Sequence, residues 1–301
     1  MNRVAQHPVQ AFLAALAAVG VLSIMDAVMK ALVIALGIYA VSVWRSILNV
    51  ALTGGLYLPR RLPWPTRATL KIHVGRGILV TVMAALFFWG IARVPLAQAI
   101  ALTFIAPLVA LLLAAVFLGE RVGSRSIGGS VMAFAGVVVI VLGQARAELG
   151  DEALLGSVAI IGSALCYACN IVVMRHQSLA AKPLEINFFQ SLTVLVLWVA
   201  AIPLLGEPAW PSGQWWVWIV LAAMMSTAGG LLFSWAYARA EAGYLAVTEY
   251  SGFLWAAALG WLVFSERVSL YTLAGAALIV GGCIVAARSK LDAPGELEVA
   301  T

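Results

Sequence analysis

Five ionisable side chains fall inside long apolar runs of this sequence: Asp26, Lys30, Arg45, Arg76 and Glu249. A charge in hydrocarbon costs roughly 2.5–3.5 kcal/mol on insertion scales, so each one needs a partner, water or a task. Asp26 and Lys30 stand four residues apart, which puts them on one face of a helix. Either they neutralise each other near an interface, with Lys30 reaching out to water, or the deeper Asp26 meets a substrate or coupling ion. Arg45 lies about two turns into its run, too deep for easy contact with water. Its guanidinium suits a carboxylate or phosphate held bidentately, or neutralisation of Asp26. Arg76 reads as about one turn from a helix end, where a long side chain reaches headgroups, so a structural role is expected for it. Glu249, followed by Tyr250, suits a coupling proton or a cationic substrate group, or is an interfacial glutamate. Glu120 and Glu266, each beside an arginine at a helix end, read as structural caps or gates.

Aromatic rings inside the apolar runs, Trp89, Trp235, Tyr250, Trp255 and Trp261, are candidates to stack on a ring or cation. Tyr250, Trp89 and Trp255 join the expected substrate site. Trp210, Trp215, Trp216 and Trp218 cluster at the start of one run and read as interfacial anchors. Pro107 inside one run, and Gly229-Gly230 inside another, are places for a kink or a close helix approach.

Motifs for other chemistry are missing. His7, His73 and His176 are spread apart, and no HExxH, Gly-x-Ser-x-Gly or GxxxxGK[ST] pattern occurs. Cys166-Tyr-Ala-Cys169 has the spacing of a redox or zinc pair, but it sits in an apolar run with no second pair, so packing residues are expected. An enzyme, a resident metal and a cofactor are therefore not expected. Nor is nucleic acid, because the net charge of +5 comes from basic residues scattered singly.

The elements that must position these residues are membrane helices. Of the 301 residues, 63% are hydrophobic and 10% charged, whereas a soluble domain carries roughly a quarter charged. Spans of roughly 20 apolar residues divide the chain into ten, at about 11–31, 37–58, 73–92, 96–118, 126–144, 154–175, 184–205, 215–238, 245–264 and 269–287. With the N-terminus inside, twelve of the Lys and Arg residues fall in inside loops and tails and three, Arg93, Arg146 and Arg267, in outside loops. That asymmetry places both termini in the cytoplasm.

The chain also repeats. A shift of 146 residues lays Gly119-Glu120-Arg121-Val122 on Ser265-Glu266-Arg267-Val268, and Gly129 and Gly136 on Gly275 and Gly282. Each half holds five helices, an odd number, so the second half runs inverted. The expected fold is an all-α polytopic membrane protein of ten transmembrane helices in two inverted five-helix repeats. These cover residues 1–146 and 147–288, with a disordered cytoplasmic tail over 289–301. Inverted repeats place a substrate site near the midplane between the halves.

Two segments, Pro95 through Val122 and Ala246 through Val268, each ending in a small-Glu-Arg signature, resemble the EamA-type members of the drug/metabolite transporter superfamily. The resemblance covers nearly the whole chain; Ser265 replaces the usual glycine. Asp26-Ala-Val-Met-Lys30, Arg45, Arg76 and Glu249-Tyr250 are similar to a branch that includes bacterial S-adenosylmethionine transporters, to which riboflavin and metallophore carriers are related. The resemblance implies export or uptake of a small polar metabolite across a bacterial inner membrane, driven by a proton gradient or by exchange. The expected partners are a small-molecule substrate and the lipid bilayer, with a homodimer left open. A lipid flippase or accessory membrane subunit is the alternative from another class.

Overall fold

The computed structural model describes residues 8–61, 64–106, 108–109, 124–146, 150–237, 239, 245 and 248–291. Among the described residues ten helices have eight residues or more: α1 Pro8–Leu36, α2 Ile38–Tyr57, α3 Arg67–Ile91, α4 Leu96–Thr103, α5 Ser124–Arg146, α6 Gly150–Ala180, α7 Pro183–Ala200, α8 Gly213–Tyr237, α9 Ser251–Phe264 and α10 Leu270–Leu291. No strand occurs among these residues. Pro107 and Glu120 lie outside the described residues, as does nearly all of the expected tail.

The helix boundaries follow local chemistry. Gly37 alone separates α1 from α2, at φ +77, a left-handed conformation open to glycine at no steric cost. Thr66 caps α3, its hydroxyl accepting from the Thr69 amide at 3.2 Å. This cap starts α3 at Arg67, six residues before the start expected at 73. Pro183 opens α7 at a position where its missing N–H costs nothing.

Among the described residues, five helical stretches suffice by length and composition to cross a bilayer: Val9–Leu36, Arg67–Ile91, Gly150–Ile171, Pro183–Leu205 and Gly213–Ala236. Ile127–Gly143, Ser251–Phe264 and Leu270–Gly282 are shorter apolar stretches. The protein is a polytopic helical membrane protein.

Packing between the helices has a regular pattern. The strongest contacts are α5 with α10, α3 with α6, α1 with α8, and α2 with α7. Exchanging each helix of the first five with its counterpart in the second five turns α1·α8 into α6·α3. The same exchange turns α1·α9 into α6·α4, and α3·α7 into α8·α2. The glycines matched in the sequence obey it too. A Cβ on Gly136 would meet the Gly275 carbonyl at 2.5 Å, and one on Gly275 would meet the Gly136 carbonyl at 2.6 Å. Gly282 lies equally tight against Gly129. Close approach of backbones is how membrane helices gain packing energy where no hydrophobic drive separates protein from lipid. Gly136→Val will therefore force α5 and α10 apart, at a cost of about 1–3 kcal/mol. The check is the melting temperature of detergent-purified protein; an unchanged value would show that the crossing is not needed for stability.

Helix α4 and the helix that continues into α9 are both interrupted. After Thr103 the chain turns through Phe104 and Ile105, with the Phe104 amide bonded to Ala101 O at 3.2 Å, before helix resumes at Ala106. A proline at position 107 has no N–H to give the Thr103 carbonyl. In the second half Tyr250 forms the turn between Thr248–Glu249 and α9. Position 250 is 104 shifted by 146, and the two rings meet edge-on at 5.3 Å. Glu249 therefore sits before the break, not inside a continuous ninth helix as expected.

Candidate functional site

Asp26 on α1 and Arg45 on α2 are near enough for each charge to act on the other. They do not form a direct ion pair. The ion pairs among the described residues are Lys30–Glu266, His73–Glu185 and Arg93–Glu152. Arg45 is 9% exposed, and its buried Nε has no hydrogen-bond partner. Its guanidinium lies 5.1 Å from the centre of the Phe88 ring. A buried donor without a partner costs about 1–3 kcal/mol, so the arrangement fits a group that accepts from Arg45 when bound. Asp26, opposite, supplies the complementary acceptor. One turn from Asp26, Ser23 lies against Gly252 of α9, just past the Tyr250 break.

Lys30 does not pair with Asp26. Although the two share a helix face, the buried Lys30 ammonium donates to Val94 O at 2.6 Å and to the Glu266 carboxylate. The reading of Lys30 as reaching out to water is corrected as well, since it is 4% exposed. Glu266 supplies an anion and Val94 a carbonyl at a distance that the flexible lysine stem spans, and these satisfy the ammonium without Asp26. The other Glu266 oxygen accepts from the Leu96 amide at 2.7 Å, so it also caps α4. This cluster ties α1, the α3–α4 connection and the α9–α10 connection together one turn beyond Asp26.

Toward the opposite end lies a longer polar chain. Arg76 Nε donates to Asn170 Oδ1 at 2.8 Å, and its Nη1 donates to Gln177 Oε1 at 2.6 Å. Gln177 Nε2 is 2.5 Å from His73 Nδ1, and His73 Nε2 is 3.2 Å from Glu185. On the other side Arg76 acts on Tyr167, whose hydroxyl is hydrogen-bonded to Glu249. Arg76 is thus held inside the bundle and does not reach headgroups; the earlier start of α3 puts it about two and a half turns in. Phe189 stacks on the His73 ring at 5.3 Å.

The aromatic expectations divide. Tyr250 stands at the break. Trp89 has its ring face taken by Arg93, 3.6 Å away, which also pairs with Glu152. Phe88, one residue earlier, is the ring that faces Arg45. Trp255 packs against α1 at Gly20, about 9 Å along the helix from Asp26. Trp235 carries Arg239 over its ring at 4.1 Å, and Trp261 is exposed. Trp210 and Trp216 form an edge-to-face cluster with Trp44, whose indole donates to Ala209 O at 2.9 Å. Cys166 and Cys169 are free thiols.

Several site residues escaped the sequence reading: Phe88, Tyr167, Asn170, Gln177, His73 and Glu185. A signal for the α6 group exists. Ser163, Tyr167, Asn170 and Gln177 form a polar stripe at helical spacing on an otherwise apolar helix. In a membrane such a stripe must face protein or water.

Long apolar helices around buried, mutually arranged charges define a multi-pass membrane protein of the transporter kind. The chain belongs to the EamA-like transporter family, whose pattern matches residues 9–142 and again residues 154–288. It is similar to the Pseudopaline exporter CntI of Pseudomonas aeruginosa, 29% identical over 75% of this chain and 78% of that protein. It is also similar to a riboflavin transporter of Rhizobium johnstonii, 27% identical over 73% of this chain and 70% of the other. One solved crystal structure shares the fold with TM-score 0.62 at 20% identity, covering 95% of this chain and 99% of that one. Family and relatives are transporters rather than enzymes, and the bacterial relatives point to the inner membrane.

Proposed function

We propose that this chain is a secondary transporter for small zwitterionic metabolites, amino-acid-like or S-adenosylmethionine-like, working by alternating access with proton coupling or exchange. The carrying observation is the buried, unpartnered Arg45 Nε, together with an Asp26 whose charge acts on Arg45 without a direct ion pair. Two opposite charges held apart in a low-dielectric interior fit a ligand that carries both signs: carboxylate on Arg45, ammonium or onium on Asp26. Inverted repeats over 1–146 and 147–288 are supported by the exchange pattern of helix contacts and by the paired glycines. The paired breaks at Phe104 and Tyr250 support a site near the midplane, since interrupted helices at corresponding positions of two halves mark binding sites in such folds. Arginine and lysine asymmetry supports cytoplasmic termini. Lys30–Glu266 then closes the outer end, and the Arg76 network lies toward the cytoplasm.

The test is a thermal-shift screen of the detergent-purified chain with amino acids, S-adenosylmethionine and riboflavin. A ligand at 100 times its dissociation constant stabilises the folded state by about 2.7 kcal/mol. A saturable shift by a zwitterion, lost in Arg45→Gln, is the expected result. A shift by none of the zwitterions would refute the reading. A second reading, a riboflavin carrier, is favoured by the rings of Phe88, Phe104 and Tyr250 about the site and by the relatives of that name. A riboflavin shift in the absence of any zwitterion shift would select it.

A further inference from the structure

At the α2–α3 end, away from the transport site, a cavity of about 360 Å³ is lined by Tyr57, Leu58, Arg61 and Trp64. Tyr57, which lines the cavity, is 3% exposed, and its buried hydroxyl has no hydrogen-bond partner. The ring is fixed, stacked on Phe188 at 5.0 Å and edge-on to Phe189 at 5.8 Å, so the hydroxyl cannot turn away to water. The nearby carboxylate of Glu185 acts on Tyr57 but is engaged by His73. Arg61 ends the short turn Leu58–Arg60 in a left-handed conformation, φ 46, which a non-glycine residue adopts only where the surroundings hold it. Beside Arg61, the exposed cations Arg60, Arg67 and Lys71 lie within the same stretch of chain. None of these four cations takes part in an ion pair among the described residues. A fixed donor without a partner, with the unpaired Arg61 in the lining and further basic residues close in sequence, fits a phosphate.

The surroundings choose a lipid over a free anion. The Trp64 ring is 69% exposed and Leu58 is 55% exposed. Leu56 and Leu52 continue an exposed apolar strip along α2 from the cavity toward the bilayer. A headgroup at Arg61 therefore has its acyl chain laid along α2, while a soluble phosphate would leave that strip unused. Clustered basic residues at a membrane surface attract anionic lipid, and tryptophan anchors at the same depth. We infer that the Tyr57–Arg61–Trp64 cavity is a binding site for the phosphate headgroup of an anionic phospholipid, at the seam where α2 meets α7. This inference is independent of what the protein transports.

The experiment uses the full chain in detergent, titrated in parallel with phosphatidylglycerol, phosphatidylcholine and inorganic phosphate. Melting temperature is followed, and bound lipid is counted by native mass spectrometry. Phosphatidylglycerol is expected to give a saturable rise and a retained adduct, with neither from phosphatidylcholine or inorganic phosphate. Arg61→Gln, a surface change, is expected to raise the half-saturating phosphatidylglycerol about fivefold, the worth of one basic residue at an anionic membrane surface. Tyr57→Phe keeps the ring stack and is expected to weaken binding in the same direction, whereas Arg239→Gln, elsewhere on the surface, leaves it unchanged. Equal shifts from both lipids, or an unaltered titration in Arg61→Gln, would overturn the inference. A shift reproduced by inorganic phosphate would also overturn it, by showing a soluble-anion site.

Discussion

Asp26→Asn folds and inserts at wild-type levels and loses transport. Asp26 makes no direct ion pair in the structure, so its neutralisation breaks no hydrogen-bonded contact and removes only its through-space attraction to Arg45. In the proposed site, what disappears is the counter-charge for a ligand ammonium. Removing one member of a buried charge pair costs about 3–5 kcal/mol, so affinity for a zwitterion falls by a factor of about 10² to 4 × 10³. Arg45→Lys tests the other pole. It keeps the positive charge but loses the planar fork that holds a carboxylate through two parallel bonds. Binding in Arg45→Lys should fall about tenfold or more, while expression stays unchanged. Isothermal titration of the ligand found in the screen, on both variants, measures the two losses separately. Wild-type affinity in Asp26→Asn would remove the carboxylate from the site.

Glu266→Gln has the opposite profile, with a large loss of stability and a change of shape. The Lys30 ammonium is almost fully buried, and Glu266 is its charged partner. Without the carboxylate an uncompensated charge stays in the protein interior, at a cost of about 3–5 kcal/mol. The neutral glutamine still offers an oxygen to the Leu96 amide, so the cap on α4 survives and the loss reports the ion pair. Lys30→Met alone strands Glu266, which is less buried, and should cost less. The double variant should recover much of the loss, because it leaves no unpaired charge, and the melting temperatures of the four proteins give the coupling. The same pair holds α1 to the connections before α4 and after α9, so breaking it should favour opening at that end. Ser23→Cys, in a background without Cys166, Cys169 and Cys283, should then react faster with an impermeant thiol reagent. Additive melting temperatures together with unchanged labelling would show that the pair is neither a stabilising lock nor a gate.

The all-helical, polytopic character of the fold was legible because membrane helices announce themselves by length and apolarity. Even the 146-residue shift reached detail: it pairs Gly136 with Gly282 in sequence, and the structure brings the same four glycines together at one helix crossing. Side-chain pairing was harder to read. Asp26 and Lys30 looked like partners because helical spacing is visible in one segment, whereas the Lys30–Glu266 contact spans 236 residues and exists only once the helices pack. Arg76 was misplaced for a smaller reason. Apolarity starts at about residue 73, but the Thr66 cap starts the helix at 67, and the extra turns carry Arg76 inward. Phe88 was passed over for Trp89 because composition favours tryptophan for cation contact, while one residue of helix rotation, about 100°, decides which ring meets Arg45.

The most direct test of the zwitterion site is counterflow in proteoliposomes loaded with a substrate amino acid. Externally added labelled compound is offered in three forms: intact, N-acetylated, and as the carboxamide. A site that takes carboxylate on Arg45 and ammonium on Asp26 predicts rapid uptake of the intact compound and little of either blocked form. It also predicts that Asp26→Asn abolishes the preference for the free amine along with the rate. Equal uptake of the intact and N-acetylated forms by the wild-type protein would contradict a role for Asp26 in recognition and, with it, the account of the site.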